Sequence, residues 1–142
     1  MAGLCSALAS AGTGADCAAC HPAEVKLHDR TRMAHAMVPA GNSAFGENLS
    51  DRPLQERGNG YQLFYRKSVF GNVLVTAKRG NTEAEGVIEW VLGAGAQGQT
   101  PLVRTADRTL ESHVSYFPQA RQYGITIGQE GGVSHDPEAA LG

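Results

Sequence analysis

The sequence has few aromatic residues, few cysteines and almost no net charge. Aromatics make up 6% of the 142 residues while glycine occurs eighteen times, which excludes a tight all-helical bundle and implies much loop and turn. A net charge of -2 gives no electrostatic reason to expect nucleic acid or an anionic membrane as partner. The basic runs, Arg30 with Arg32 and Lys78-Arg79, are short. No apolar run approaches the length of a membrane-crossing helix, so no direct membrane span is expected. At this length the chain holds one domain with a core plus an irregular end.

Against that background the first sixteen residues, MAGLCSALASAGTGAD, are small and rich in Ala, Gly and Ser. They carry small-residue patterns like those near a signal-peptidase site, without a basic start or a full apolar core. They read as a flexible leader or the remnant of an export signal. After Pro22, a residue welcome in a first turn, Ala23 to His28 favour a short helix. Asp29 and Thr31 are N-cap types, and Met33 to Met37 form a second short helical run ended by Pro39-Ala40-Gly41. Residues 42–60 are rich in turn formers and read as a linker.

From Tyr61 the period changes to two: Tyr61, Leu63 and Tyr65 fall on one side, Gln62, Phe64 and Arg66 on the other. Gly71-Asn72 separates this run from Val73 to Thr76, as in a hairpin. Val87 to Leu92, Pro101 to Arg104 and His113 to Phe117 continue the strand series, so residues 61–127 are expected to form a small antiparallel β region. Residues 128–142 hold little apolar material and read as a polar tail. The expected fold class is α+β, a short helical segment over residues 17–41 followed by the β domain.

Two of the three cysteines and one of the five histidines lie within Cys17-Ala18-Ala19-Cys20-His21. CxxCH is the attachment signature of c-type haem: two thiols three positions apart can add to the two vinyl groups, and the next histidine reaches the iron. A chance match in a chain of this length is roughly one in a thousand at average residue frequencies. A structural zinc site needs four ligands, and no second CxxC or paired-His cluster completes one. A thioredoxin-like redox pair expects a preceding strand in a βαβ setting, which is missing here. A plain structural disulfide is the fourth reading. Cys5, in the leader, is incidental.

With Cys17 and Cys20 as tethers and His21 as proximal ligand, the sixth iron position has His28, His35, Met33, Met37, His113 and His135 as candidates. An unbroken helix would put His35 about 21 Å from His21 at 1.5 Å per residue, so His35 serves only where the chain folds back, which the Asp29 to Thr31 break permits. His28, seven positions from His21 on a helical face, suits a solvated role. Met33 and Met37 suit packing against an apolar group, and Arg30 and Arg32 could meet haem propionates.

The run CAACHPAEVKLHDRTRMAHAM resembles the first haem segment of bacterial multihaem cytochromes c, in which CxxCH is followed by a short helix and then a T/S-x-H-A-type histidine. Thr31-Arg32-Met33-Ala34-His35-Ala36 is similar to that second element. The β region also looks like the family's middle domain, through Tyr61 to Tyr65, Trp90 to Gly95 and Ser115 to Pro118. The resemblance covers residues 17 to about 130, with one CxxCH where such relatives usually carry several. It implies His35 as the distal ligand, one covalent haem c, single-electron transfer to redox partner proteins such as other cytochromes, and a β region that covers the haem or docks a partner. Covalent attachment implies maturation on the export side of a membrane, hence a periplasmic or envelope location.

Gly93-Ala94-Gly95-Ala96-Gln97-Gly98 matches the GxGxxG of dinucleotide sites, but a strand-like Pro101-Leu102-Val103 follows where a helix is needed, so the glycines read as a hairpin connection. No hydrolase constellation stands out. The expectation is therefore an electron carrier rather than an enzyme. The alternatives are a haem enzyme or gas sensor with an open distal position, and a non-haem interaction module with a zinc-bound CxxCH.

Overall fold

The structure is a computed structural model that describes residues 17–49, 54–55, 60–130 and 136–142. The chain divides into two compact units, Met1–Ala34 and His35–Gly142. The expected leader lies outside the described residues.

In the first unit, α1 (Pro22–His28) starts where the sequence reading puts it. Pro22 occupies the first turn, where its missing N–H costs nothing. Glu24 lies in the first turn, and Lys26 and His28 in the last, each with the sign the helix dipole favours at that end. The helix closes as Thr31 donates to the His28 carbonyl through both its amide (2.7 Å) and its hydroxyl (2.7 Å). None of its residues is buried, and seven residues are too few to hold a helix in water by propensity alone.

The second unit is a β structure. Its main sheet runs β2 (Leu54–Gln55), β3 (Gln62–Lys67), β4 (Val73–Arg79), β5 (Thr82–Leu92), β6 (Thr100–Arg104) and β7 (Thr109–Glu111), with β1 (Met37–Pro39) also paired to β5. Every pairing is antiparallel. β8 (Val114–Phe117) and β9 (Gln122–Ile125) form a second, two-stranded sheet. It joins the first where Gln99 and Tyr116 exchange backbone hydrogen bonds of 2.8 and 2.9 Å.

Strand alternation builds the core. Val73, Val75 and Ala77 of β4 face inward with Leu63, Ile88, Val91 and Val103, all fully buried. Ile88 and Val91, three apart, both face inward because the register shifts between Ile88 and Trp90, the signature of a bulge. Phe45, from the short helix α2 (Ala44–Glu47), closes this core. It packs edge-on against Tyr65 and Tyr123 at 5.4 and 5.3 Å between ring centres. Its amide donates to Gln99 Oε1 (2.9 Å) and its carbonyl accepts from the Tyr123 hydroxyl (2.6 Å). Ser43 caps α2, its hydroxyl accepting from the Gly46 amide (3.0 Å).

This architecture corrects the α+β expectation. Of the described residues 40% are strand and 17% helix, and one helix reaches seven residues, so the protein is mostly antiparallel β and the N-terminal segment is not a helical layer. The second helical run expected over Met33–Met37 is a single 3-10 turn, Met33–His35, followed by strand β1. Val38 precedes a proline, which disfavours the α conformation, and β5 offers the backbone a ladder, with Gly93 N–H donating to the Ala36 carbonyl (2.7 Å). Residues 42–60 are more than a linker, because Ser43 and Phe45 are buried. Within the expected polar tail, Ala140 and Leu141 are fully buried in the core cluster, and Arg108 fixes the approach to them through Glu138 (2.6 Å).

Candidate functional site

The CxxCH motif forms one helical turn. Cys20 N–H (3.3 Å) and His21 N–H (2.9 Å) both donate to the Cys17 carbonyl. His21 then serves as the N-cap residue of α1 and accepts from the Val25 amide (3.1 Å). Pro22 at N1 therefore ends one turn and starts the next with His21 at the junction. Cys17 and Cys20 are free thiols and exposed, and the His21 side chain is exposed and makes no capping bond. Two unpaired thiols one turn apart, followed by an accessible imidazole, are the donor set a c-type haem requires.

The other sequence candidates fall elsewhere. His28 lies at the end of α1 with Nδ1 4.0 Å from the Asp29 carboxylate. Arg30 and Arg32 are exposed, and Met33 is 76% and Leu27 66% exposed in the same unit. His35 begins the second unit, at the end of the 3-10 turn that leads into β1. Met37 faces outward on β1, opposite Leu92. His113 stands before β8, its carbonyl accepting from the Thr126 amide (2.8 Å). Cys5 and His135 lie outside the described residues. The structure thus brings Cys17, Cys20 and His21 together on one turn and leaves His35 in the other unit.

Among the described residues no three His, Cys, Asp or Glu side chains gather as a metal-holding group. None of their helices is long and apolar enough to cross a membrane. The glycine loop 93–98 links the antiparallel strands β5 and β6, with Gly93 (φ 102°) and Gly95 (φ 70°) in the left-handed region. No helix follows to receive a pyrophosphate.

The β unit adds a groove of about 980 Å³ along β3 to β6, lined by charges of both signs, among them Glu47, Arg66, Lys78, Glu85 and Arg104. Arg104 is held by Glu89 at 2.6 Å, whose hydrogen bond and charge raise the arginine's pKa. Sequence reading passed over the tip of the β3–β4 hairpin, where Val69 is 95% and Phe70 89% exposed. The signal was legible: from Gly60 to Gly80 the chain has four basic residues and no acidic one.

Fold and motif together define an antiparallel β domain preceded by a CxxCH turn. In comparisons with protein-family models, with curated proteins and with solved structures, the chain gives no match.

Proposed function

We propose that the protein is a c-type cytochrome that carries one covalently attached haem and transfers single electrons. Cys17 and Cys20 hold the group through thioether bonds, and His21 supplies the proximal nitrogen. When bound, the haem iron supplies reversible one-electron chemistry, at a potential set by its ligands, burial and hydrogen bonding. The observation that supports this reading is the single turn that presents two free, exposed thiols and then His21, its amide bonded back to the Cys17 carbonyl. Leu27 and Met33 add apolar side chains exposed in the same unit, which a macrocycle tethered there would cover.

His35 is proposed as the second axial ligand on the sequence resemblance alone. A closed sixth position suits a carrier, because the iron changes valence without binding or releasing a substrate. Covalent attachment places maturation on the export side of a membrane, and redox proteins, other cytochromes among them, are the partners this function requires.

The test is the absorption spectrum of protein produced with a c-type haem assembly system. The expected result is a low-spin haem that resists extraction by acidified acetone, and a His35→Ala variant that turns high-spin while keeping its covalent haem. Complete extraction of the colour would overturn the attachment. An unchanged low-spin spectrum in His35→Ala would remove that residue as ligand.

A further inference from the structure

The β3–β4 hairpin ends in Ser68-Val69-Phe70-Gly71-Asn72, a turn held open by its own hydrogen bonds. Ser68 N–H donates to the Asn72 carbonyl (2.8 Å), Gly71 N–H to the Ser68 carbonyl (3.2 Å), and Phe70 N–H to the Ser68 hydroxyl (3.0 Å). Gly71 takes φ 83°, which favours glycine. The Lys67 ammonium donates to the Gly41 carbonyl (3.2 Å), anchoring the base of the tip to the segment after β1. Val69 and Phe70 are thus presented outward on a fixed scaffold, where folding gains nothing from them. Val69 and Phe70 together form a small apolar patch that is free to meet a partner.

The hairpin also carries a charge that the whole-chain balance conceals. Residues 60–80 hold Arg66, Lys67, Lys78 and Arg79 and no carboxylate. Lys78 and Arg79, at the far end, are engaged with Glu83 (2.9 Å) and the Tyr61 ring (4.5 Å). Arg66 and Lys67 stand directly behind the apolar tip, both exposed, and the Lys67 ammonium, with one of its three donors given to the Gly41 carbonyl, keeps its charge and two further donors. A convex pair of apolar side chains with cations immediately behind them matches the layering of an anionic bilayer surface, where acyl chains lie beneath phosphate headgroups. A protein pocket could take Val69 and Phe70, yet it would not account for the acid-free hairpin behind them.

We propose that the β3–β4 hairpin tip is a peripheral membrane anchor, inserting Val69 and Phe70 into the interface of an anionic bilayer while Arg66 and Lys67 contact lipid phosphates. The anchor is independent of haem attachment and needs no membrane-crossing segment. Two side chains and two cations give reversible docking, weaker than a spanning helix and sensitive to salt.

Flotation of the full chain with vesicles tests this directly. The protein is expected to float with phosphatidylcholine vesicles containing phosphatidylglycerol, to stay behind with phosphatidylcholine alone, and to be released by high salt. Val69→Ser/Phe70→Ser should weaken partitioning by at least about tenfold, and Arg66→Gln/Lys67→Gln by about tenfold. Circular dichroism and melting temperature of Val69→Ser/Phe70→Ser should match the parent, since both side chains are almost fully exposed. Failure of the folded parent to float, or unchanged flotation of the Val69→Ser/Phe70→Ser variant, would overturn the proposal. So would a parent dimer in sedimentation velocity that the same variant dissociates, because the tip would then be a contact between copies.

Discussion

The two units of this chain divide chemistry from stability. From Cys17 to Ala34 no described residue is buried, and the reactive groups, two thiols and an imidazole, stand exposed on one turn. Among the described residues from His35 onward, the core cluster holds fourteen apolar residues at 7% exposure or less, while Arg104 and Arg108 pair with carboxylates at the surface. If haem attachment belongs to the first region and stability to the second, the two should respond separately to mutation, as additive sites do.

The largest expected effect breaks that comparison at its chemical end. Cys17→Ala/Cys20→Ala should abolish covalent haem entirely, read from haem staining of a denaturing gel. It should leave urea unfolding of the β unit within about 0.5 kcal/mol of the parent, as for surface changes elsewhere. A large loss of β-unit stability would show that the two regions are not separable.

At the stability end, Phe45→Ala should cost about 3–5 kcal/mol in chemical denaturation, since the ring is fully buried between Tyr65 and Tyr123. A smaller loss, about 1–3 kcal/mol, is expected for Gly86→Ala. The added methyl would press on Val103 Cγ1 and approach Leu141, and a β-branched neighbour cannot swing aside freely. In both variants the haem content per folded molecule should remain that of the parent, measured by absorbance against protein concentration.

The finest distinction comes from Tyr123, whose hydroxyl donates to the Phe45 carbonyl. Tyr123→Phe should cost about 1 kcal/mol. Burial, and secondarily the Tyr116 charge, push the Tyr123 pKa well above its ordinary 10.0. Because the folded pKa exceeds the unfolded one, the folded state keeps its proton where the unfolded state loses it. This contribution is therefore intact below the ordinary tyrosine range and declines as pH rises through it toward the folded value. Unfolding measured across alkaline pH should show a decline that is shallower in Tyr123→Phe than in the parent.

The sequence made some of this legible and concealed the rest for physical reasons. Alternation from Tyr61 to Arg66 and the valines from Val73 identified β3 and β4, because half-buried strands write a period of two. The first half of β5, Thr82 to Gly86, carries no such signal, since Glu83 and Glu85 lie on the outer face and Gly86 has no side chain to complete the alternation. β7 and β9 have three and four residues, too few to show a period. Met33–Met37 had helical composition, and tertiary pairing with β5 converted its end to strand. Ala140 and Leu141 looked like tail because two apolar residues carry no pattern until Arg108, Asp136 and Glu138 tether the segment across the sheet. The CxxCH turn was legible because its backbone geometry is local: a spacing of three puts Cys17 and Cys20 on one turn, with His21 next in sequence, without help from the fold.

Intact-mass analysis of protein produced with a haem c assembly system, compared with its Cys17→Ala/Cys20→Ala variant, tests the central claim most directly. The account predicts one haem added per parent chain under denaturing conditions and none in the variant. A parent mass equal to the polypeptide alone, or a haem adduct that persists in the variant, would contradict it.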